Sequence, residues 1–163
     1  SNANRSKRAG DRITEFMKIS KSCANNTSGG CMNTGQFTNL DNTNYVETPI
    51  NSDSYSYILA DGTSFAIDCN AFGCKITFDI DGANKGKFLY GLDVFSFTIS
   101  ANNSEIYRNG VHSATLNNCR TWSMDCLEWI LEYDNMDYLK VDRNYKCPDG
   151  KTVLDSTTNT TCK

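Results

Sequence analysis

Four oxygen-bearing side chains, Asp79, Asp81, Asn84 and Asp93, fall within the stretch FDIDGANKGKFLYGLDVF, residues 78–95. Hard oxygen donors at this density suit a calcium ion, with loop carbonyls available to complete its shell. The EF-hand spacing fails, because Ala83 stands where a third ligand belongs and no glutamate closes the loop. The preferred reading is that Asp81-Gly82 makes a turn and that Asp93 accepts hydrogen bonds from loop amides, with calcium as the second reading. The same acids could act as a hydrolytic pair, but that chemistry needs a cleft, which small half-buried sheets seldom provide. His112 is the only histidine, which removes most acid–base triads and nearly every histidine metal centre. GTSFA around Ser64 misses the last glycine of a nucleophile elbow and lies inside a predicted strand, not at a strand-to-helix turn. No phosphate-binding glycine loop is present. These residues point away from an enzyme.

The eight cysteines, Cys23, Cys31, Cys69, Cys74, Cys119, Cys126, Cys147 and Cys162, form an even set with no Cys-x-x-Cys spacing. A zinc site wants close cysteine pairs or histidines, so disulfides and an oxidising compartment are the stronger reading. The pairing is left open by sequence alone, although neighbours in order lie close: 23 with 31, 69 with 74, 119 with 126, and 147 with 162. Each such short loop would stabilise the fold by about 2–3 kcal/mol on chain-entropy grounds.

The elements that must position these groups can be read from periodicity. Ser1, Asn2 and Ala3, with no methionine before them, read as the remnant of a tag, and residues 4–163 as a single domain. Residues 6–23 place Ala9, Ile13, Phe16, Ser20 and Cys23 at helical spacing, which predicts a helix with a narrow apolar stripe. Residues 24–53 are rich in Asn, Thr and Gly and predict a long surface loop. From 54 to 108 four alternating runs follow: Tyr55–Leu59, then Thr63–Ile67 across an Asp61-Gly62 two-residue turn, then Lys75–Ile80 and Val94–Ile99. One apolar face on each strand predicts an antiparallel sheet of four or more strands that needs a cover, and the N-terminal helix can supply it. Residues 109–163 predict a disulfide-closed region. Its short second helix has Ser123 as N-cap and Met124, Leu127, Ile130 and Leu131 as the apolar stripe, and ends near Asp134-Asn135. The expected class is α+β.

Net charge is −3, which gives no reason to expect nucleic acid. The basic run Arg5, Lys7, Arg8 and Arg12 reads as a solvated helix start in preference to a membrane-surface patch.

A helix, a loop, an antiparallel sheet and a disulfide-closed C-terminal region together resemble the soluble domain of type IV pilin-like proteins, including the pseudopilins of type II secretion. The stretch from Asp79 is similar to a pilin-like segment of the form D-[VI]-N-G-x-K-G-P-N-x-x-G-x-D-x-F. Asp79, Gly82, Gly91, Asp93 and Phe95 fit it, while Asp81 replaces Asn, the Pro-Asn pair is absent and the loop is one residue longer. CLEWILEYDNMDYLK, residues 126–140, is similar to a C-terminal segment of some bacterial pilin-like proteins. The resemblance implies a missing apolar helix that anchors the subunit in the inner membrane and then packs with its copies in a filament. Ala9, Ile13 and Phe16 would be the tail of that helix, lying on the sheet. It also implies a bacterial envelope location, copies of itself or other pilin-like subunits as partners, and calcium in this loop as some pseudopilins have it. The rival expectation is a secreted adhesin or lectin-like module stacking sugars on Tyr45, Tyr55, Tyr90 and Tyr107.

Overall fold

The computed structural model describes residues 1–24, 30–35, 37–41, 44–45, 50–83, 85–101, 106–108, 115–117, 119, 126–155 and 157–162. The chain is α+β. Helix α1 (Asn2–Thr14) precedes strands β1 (Ile19–Ser22), β2 (Phe37–Thr38), β3 (Asn44–Tyr45), β4 (Tyr55–Leu59), β5 (Ser64–Cys69), β6 (Gly73–Asp79), β7 (Val94–Ser100) and β8 (Ile106–Arg108). Helix α2 (Cys126–Tyr133) and a 3-10 turn at Asp137–Leu139 follow. Strands β4 to β8 form an antiparallel meander, with β1 added on the outer side of β4, while β2 and β3 pair separately.

Helix α1 starts where the Ser1 hydroxyl accepts a bond from the Asn4 N–H, and it stops at Thr14, well short of the expected Cys23. The apolar spacing that continues through Phe16, Ser20 and Cys23 is therefore not helical. Ser20 lies in β1 and Cys23 just after it, because β1 supplies the outer backbone partners of β4 and so covers a sheet edge. Ala9 and Ile13 do pack on the sheet, joined by Met17 and Ile19. Phe16, expected to pack there, lies past the helix end and is 80% exposed, with the Arg12 guanidinium over its ring. The helix approaches the strands through small residues. Ser6 and Gly10 are buried, and a Cβ on Gly10 would come within 2.1 Å of the Tyr57 hydroxyl.

The front face of the sheet carries an aromatic ladder. Register places Tyr57 opposite Phe65 and Phe65 opposite Phe78, and the rings stack at centroid distances of 5.0 and 5.5 Å, with Phe97 following at 6.1 Å. Ile67, Cys69 and Ile76 complete the buried part of this cluster. The β4–β5 connection uses Asp61-Gly62 but is one residue longer than expected. Leu59 pairs with Thr63, leaving a three-residue loop in which the Asp61 carboxylate accepts from the Thr63 N–H.

The back face departs from the one-sided sheet of the sequence reading. Ser56, Ala66, Thr77 and Ser96 lie opposite one another across four strands and are all buried. Their small side chains let the loops pack closely: Met32 and Ile50 meet Ala66, and Phe37 and Tyr90 meet Val94. The segment 24–53 is thus partly regular, with β2 and β3 inside it.

The C-terminal region has its own core of Leu116, Cys119, Cys126, Trp129, Tyr138, Val141, Cys147 and Leu154. The buried face of α2 is Cys126, Glu128 and Trp129, whereas Leu131 of the expected stripe is 57% exposed. The Cys119–Cys126 bridge and the indole, packed edge-on against Tyr133, set this rotation of the helix. Ser123 and Met124 lie outside the described residues. All four disulfides join neighbours in sequence, 23–31, 69–74, 119–126 and 147–162, and no cysteine is free. Such bridges fit an oxidising extracellular or periplasmic setting. Among the described residues no helix is long and apolar enough to cross a membrane.

Candidate functional site

The loop between β6 and β7 is organised by Asp93, one residue before β7. Its carboxylate accepts from the Lys87, Phe88 and Leu89 N–H groups at 2.7, 3.0 and 2.6 Å. Three consecutive amides converge on one carboxylate and fix the path of the loop. Gly86, at φ +79°, is required by the same arrangement: a Cβ there would lie 2.5 Å from an Asp93 oxygen and 2.8 Å from an Asp81 oxygen. The loop is stitched to β2, the Thr38 N–H donating to the Phe88 carbonyl and the Tyr90 N–H to the Thr38 carbonyl. Phe37 packs edge-on to Phe88 and against Tyr90 behind it.

Asp79 closes the other end. It is fully buried, and its Oδ1 accepts from the Gly82 N–H at 3.0 Å, while Oδ2 has no hydrogen-bond partner. Burial pushes its pKa up to about 6 against the pull of the Gly82 amide, and the charges of Asp93 and Asp81 add to the rise. Ser64, weighed above as a nucleophile, is buried and accepts from the Ala83 N–H through its hydroxyl. Asp79, Asp81 and Asp93 are thus brought together, with Asp81 exposed and the other two enclosed. Asn84 and His112 lie outside the described residues. Among the described residues no group of three or more His, Cys, Asp or Glu is arranged to hold a metal ion. Both oxygens of Asp93 accept bonds from backbone amides, which orders the loop.

Residues of the 126–140 segment to which the sequence reading gave no role tie this loop to the C-terminal region. The Tyr138 hydroxyl donates to the Gly91 carbonyl at 2.6 Å in a buried position, and burial raises the phenol's pKa. Next to it, Asp137 accepts from the Thr161 hydroxyl and the Cys162 N–H and pairs with Lys140. Burial alone would raise the Asp137 carboxyl, but the bonds from Lys140, Thr161 and Cys162 outweigh it and hold its pKa below the usual value. Asn135 accepts from the Trp129 indole and the Asp137 N–H and donates to the Tyr133 and Thr160 carbonyls. The four residues Asn135 to Tyr138 form a clasp: two hold the terminal loop and one holds the β6–β7 loop. The signal available in sequence was two polar side chains flanking Met136 directly after a helix, a pattern common to many turns.

Of the tyrosines considered for sugar stacking, Tyr90 is fully buried and Tyr55 is half-buried against the ladder. The side chains of Tyr45 and Tyr107 lie outside the described residues. Comparison with family models, curated proteins and solved structures finds no match for this chain.

Proposed function

We propose that the chain is the folded head of a pilin-like filament subunit, a non-catalytic building block of a bacterial type IV pilus or type II secretion pseudopilus. In this reading α1 continues an apolar helix that holds the subunit in the inner membrane and then packs with its copies in the filament. The observation that carries the proposal is α1 lying across β4 and β5 on Ser6, Ala9, Gly10 and Ile13. The sheet under it is joined through its β6–β7 loop to a disulfide-closed C-terminal region by the Tyr138–Gly91 bond. In this reading the staples serve mechanical strength: among the described residues the β5–β6 tip is closed by a disulfide, the β6–β7 loop is bonded to Asp93 and Tyr138, and the terminal loop is bonded to Asp137. The three backbone amides that bond Asp93 hold the loop in this reading.

The test is immunogold labelling of filaments sheared from cells that make the protein, with antibodies raised against this chain. Gold along the filaments is the expected result. Labelling confined to soluble or secreted monomer, in cells that do carry such filaments, would overturn it.

A further inference from the structure

A groove of about 620 Å³ opens between α1 and the far end of the β5–β6 hairpin. Arg5, Arg8 and Arg12 form its helical wall, and the Cys69–Cys74 bridge and Ile99 form an apolar floor. Asp11 and Glu15 also border it but are paired with Lys7 and Arg12, so Arg5 and Arg8 give the opening its basic character. Beside it Phe72 stands 79% exposed at the hairpin tip. That tip is rigid: the disulfide closes it, the Asn70 side chain accepts from the Phe72 and Gly73 amides, and the Ala101 N–H donates to the Phe72 carbonyl. An aromatic held outward on a stapled support binds with little ordering entropy, as interface anchors do.

The charge distribution identifies the occupant. Residues 1–24 carry six basic and two acidic side chains, whereas residues 25–163 carry ten and seventeen. A chain whose basic segment and acidic remainder are separate complements a copy of itself head to tail, and such heterologous contacts propagate into open filaments. In the acidic part, α2 presents exposed Leu131 beside exposed Glu132 and Asp134.

We propose that the groove and Phe72 receive a second copy of this chain, which places Leu131 on the apolar floor and Glu132 against Arg8. This contact rests on the filament reading and adds to it a head-to-tail surface between folded domains, built on one flank of α1 and the β5–β6 hairpin tip.

Sedimentation equilibrium of the chain tests it. Arg8→Glu and Glu132→Arg should each weaken self-association roughly tenfold, and the double reversal should recover most of the loss. Phe72→Ser, at a side chain that is 79% exposed, should weaken it at least as much. No self-association at any concentration, or a double variant no better than either single one, would overturn the contact. In cells, Phe72→Ser filaments of normal abundance and normal gold labelling would also overturn it, while leaving the filament assignment intact.

Discussion

Burial holds the Asp79 carboxyl at a pKa of about 6, against 3.8 for the free side chain. An acid whose folded pKa lies above its unfolded value keeps its proton more tightly when folded. Its contribution therefore favours the fold at low pH and is lost as pH climbs from about 4 to above 6. The full difference is at most about 3 kcal/mol, and solvent screening reduces it. Asp137 has the opposite sign: its lowered pKa stabilises above the unfolded value and fails only as pH falls toward and below 4. Between pH 7 and 5 the Asp79 contribution grows, and it predicts a higher melting temperature at pH 5 than at pH 7. Asp79→Asn should raise it at pH 7 and flatten that pH dependence. An Asn variant that is less stable at both pH values would show that the carboxylate holds something. A calcium ion on Oδ2 is that alternative, and a chelator separates the two: melting should be unchanged by chelation, and a fall reversed by added calcium would establish the ion. At this scale the role of Asp93 was legible, because an acid at a turn accepts amides. The state of Asp79 was not, since it depends on a back face closed by loops remote in sequence.

Helix α1 shows where local pattern stops informing. Ala9 and Ile13 were readable from spacing alone, but the same spacing ran on into Phe16, Ser20 and Cys23, and only pairing with β4, almost forty residues away, decides that those form an edge strand. The short α2 was legible as a helix and its face only in part: Ile130 packs on the core, whereas Leu131 is exposed and Cys126 and Trp129 take the buried positions. Gly10 gives a sharp test of the helix–sheet packing. In an exposed helix interior, Gly→Ala stabilises by up to about 1 kcal/mol. Here the new methyl would meet the Tyr57 ring and hydroxyl at 2.1–2.8 Å, so Gly10→Ala should destabilise by about 1–3 kcal/mol. Phe16→Ser, past the helix end, should change stability by no more than about 0.5 kcal/mol. Denaturant melts of the two variants check both, and equal effects would refute this placement of α1.

At the scale of the molecule, spacing left the cysteine pairing open, though the neighbours it marked as close are the ones that bond, and it gave no sign of how the disulfide-closed end meets the sheet. Asn135 and Asp137 find their partners 24 and 25 residues downstream, and Tyr138 finds Gly91 47 residues upstream; no local periodicity encodes such distances. The Tyr138–Gly91 bond is the point where the C-terminal clasp grips the β6–β7 loop, so Tyr138→Phe isolates it. The phenyl ring keeps its place in the core, the hydroxyl is lost, and the Gly91 carbonyl is left buried without that donor, for a loss of about 1–2 kcal/mol. If the clasp steadies the loop, the loss appears first as local opening. Amide hydrogen exchange at Lys87, Phe88 and Leu89, whose N–H groups Asp93 holds, should quicken several-fold. The Cys69 amide, held by the Ser6 hydroxyl beneath α1, should keep its protection under conditions where local opening dominates. Uniform acceleration at both places would mean that sheet and C-terminal region open as one unit. An unchanged loop would mean that the aromatic packing of Phe37, Phe88 and Tyr90 steadies it without the clasp.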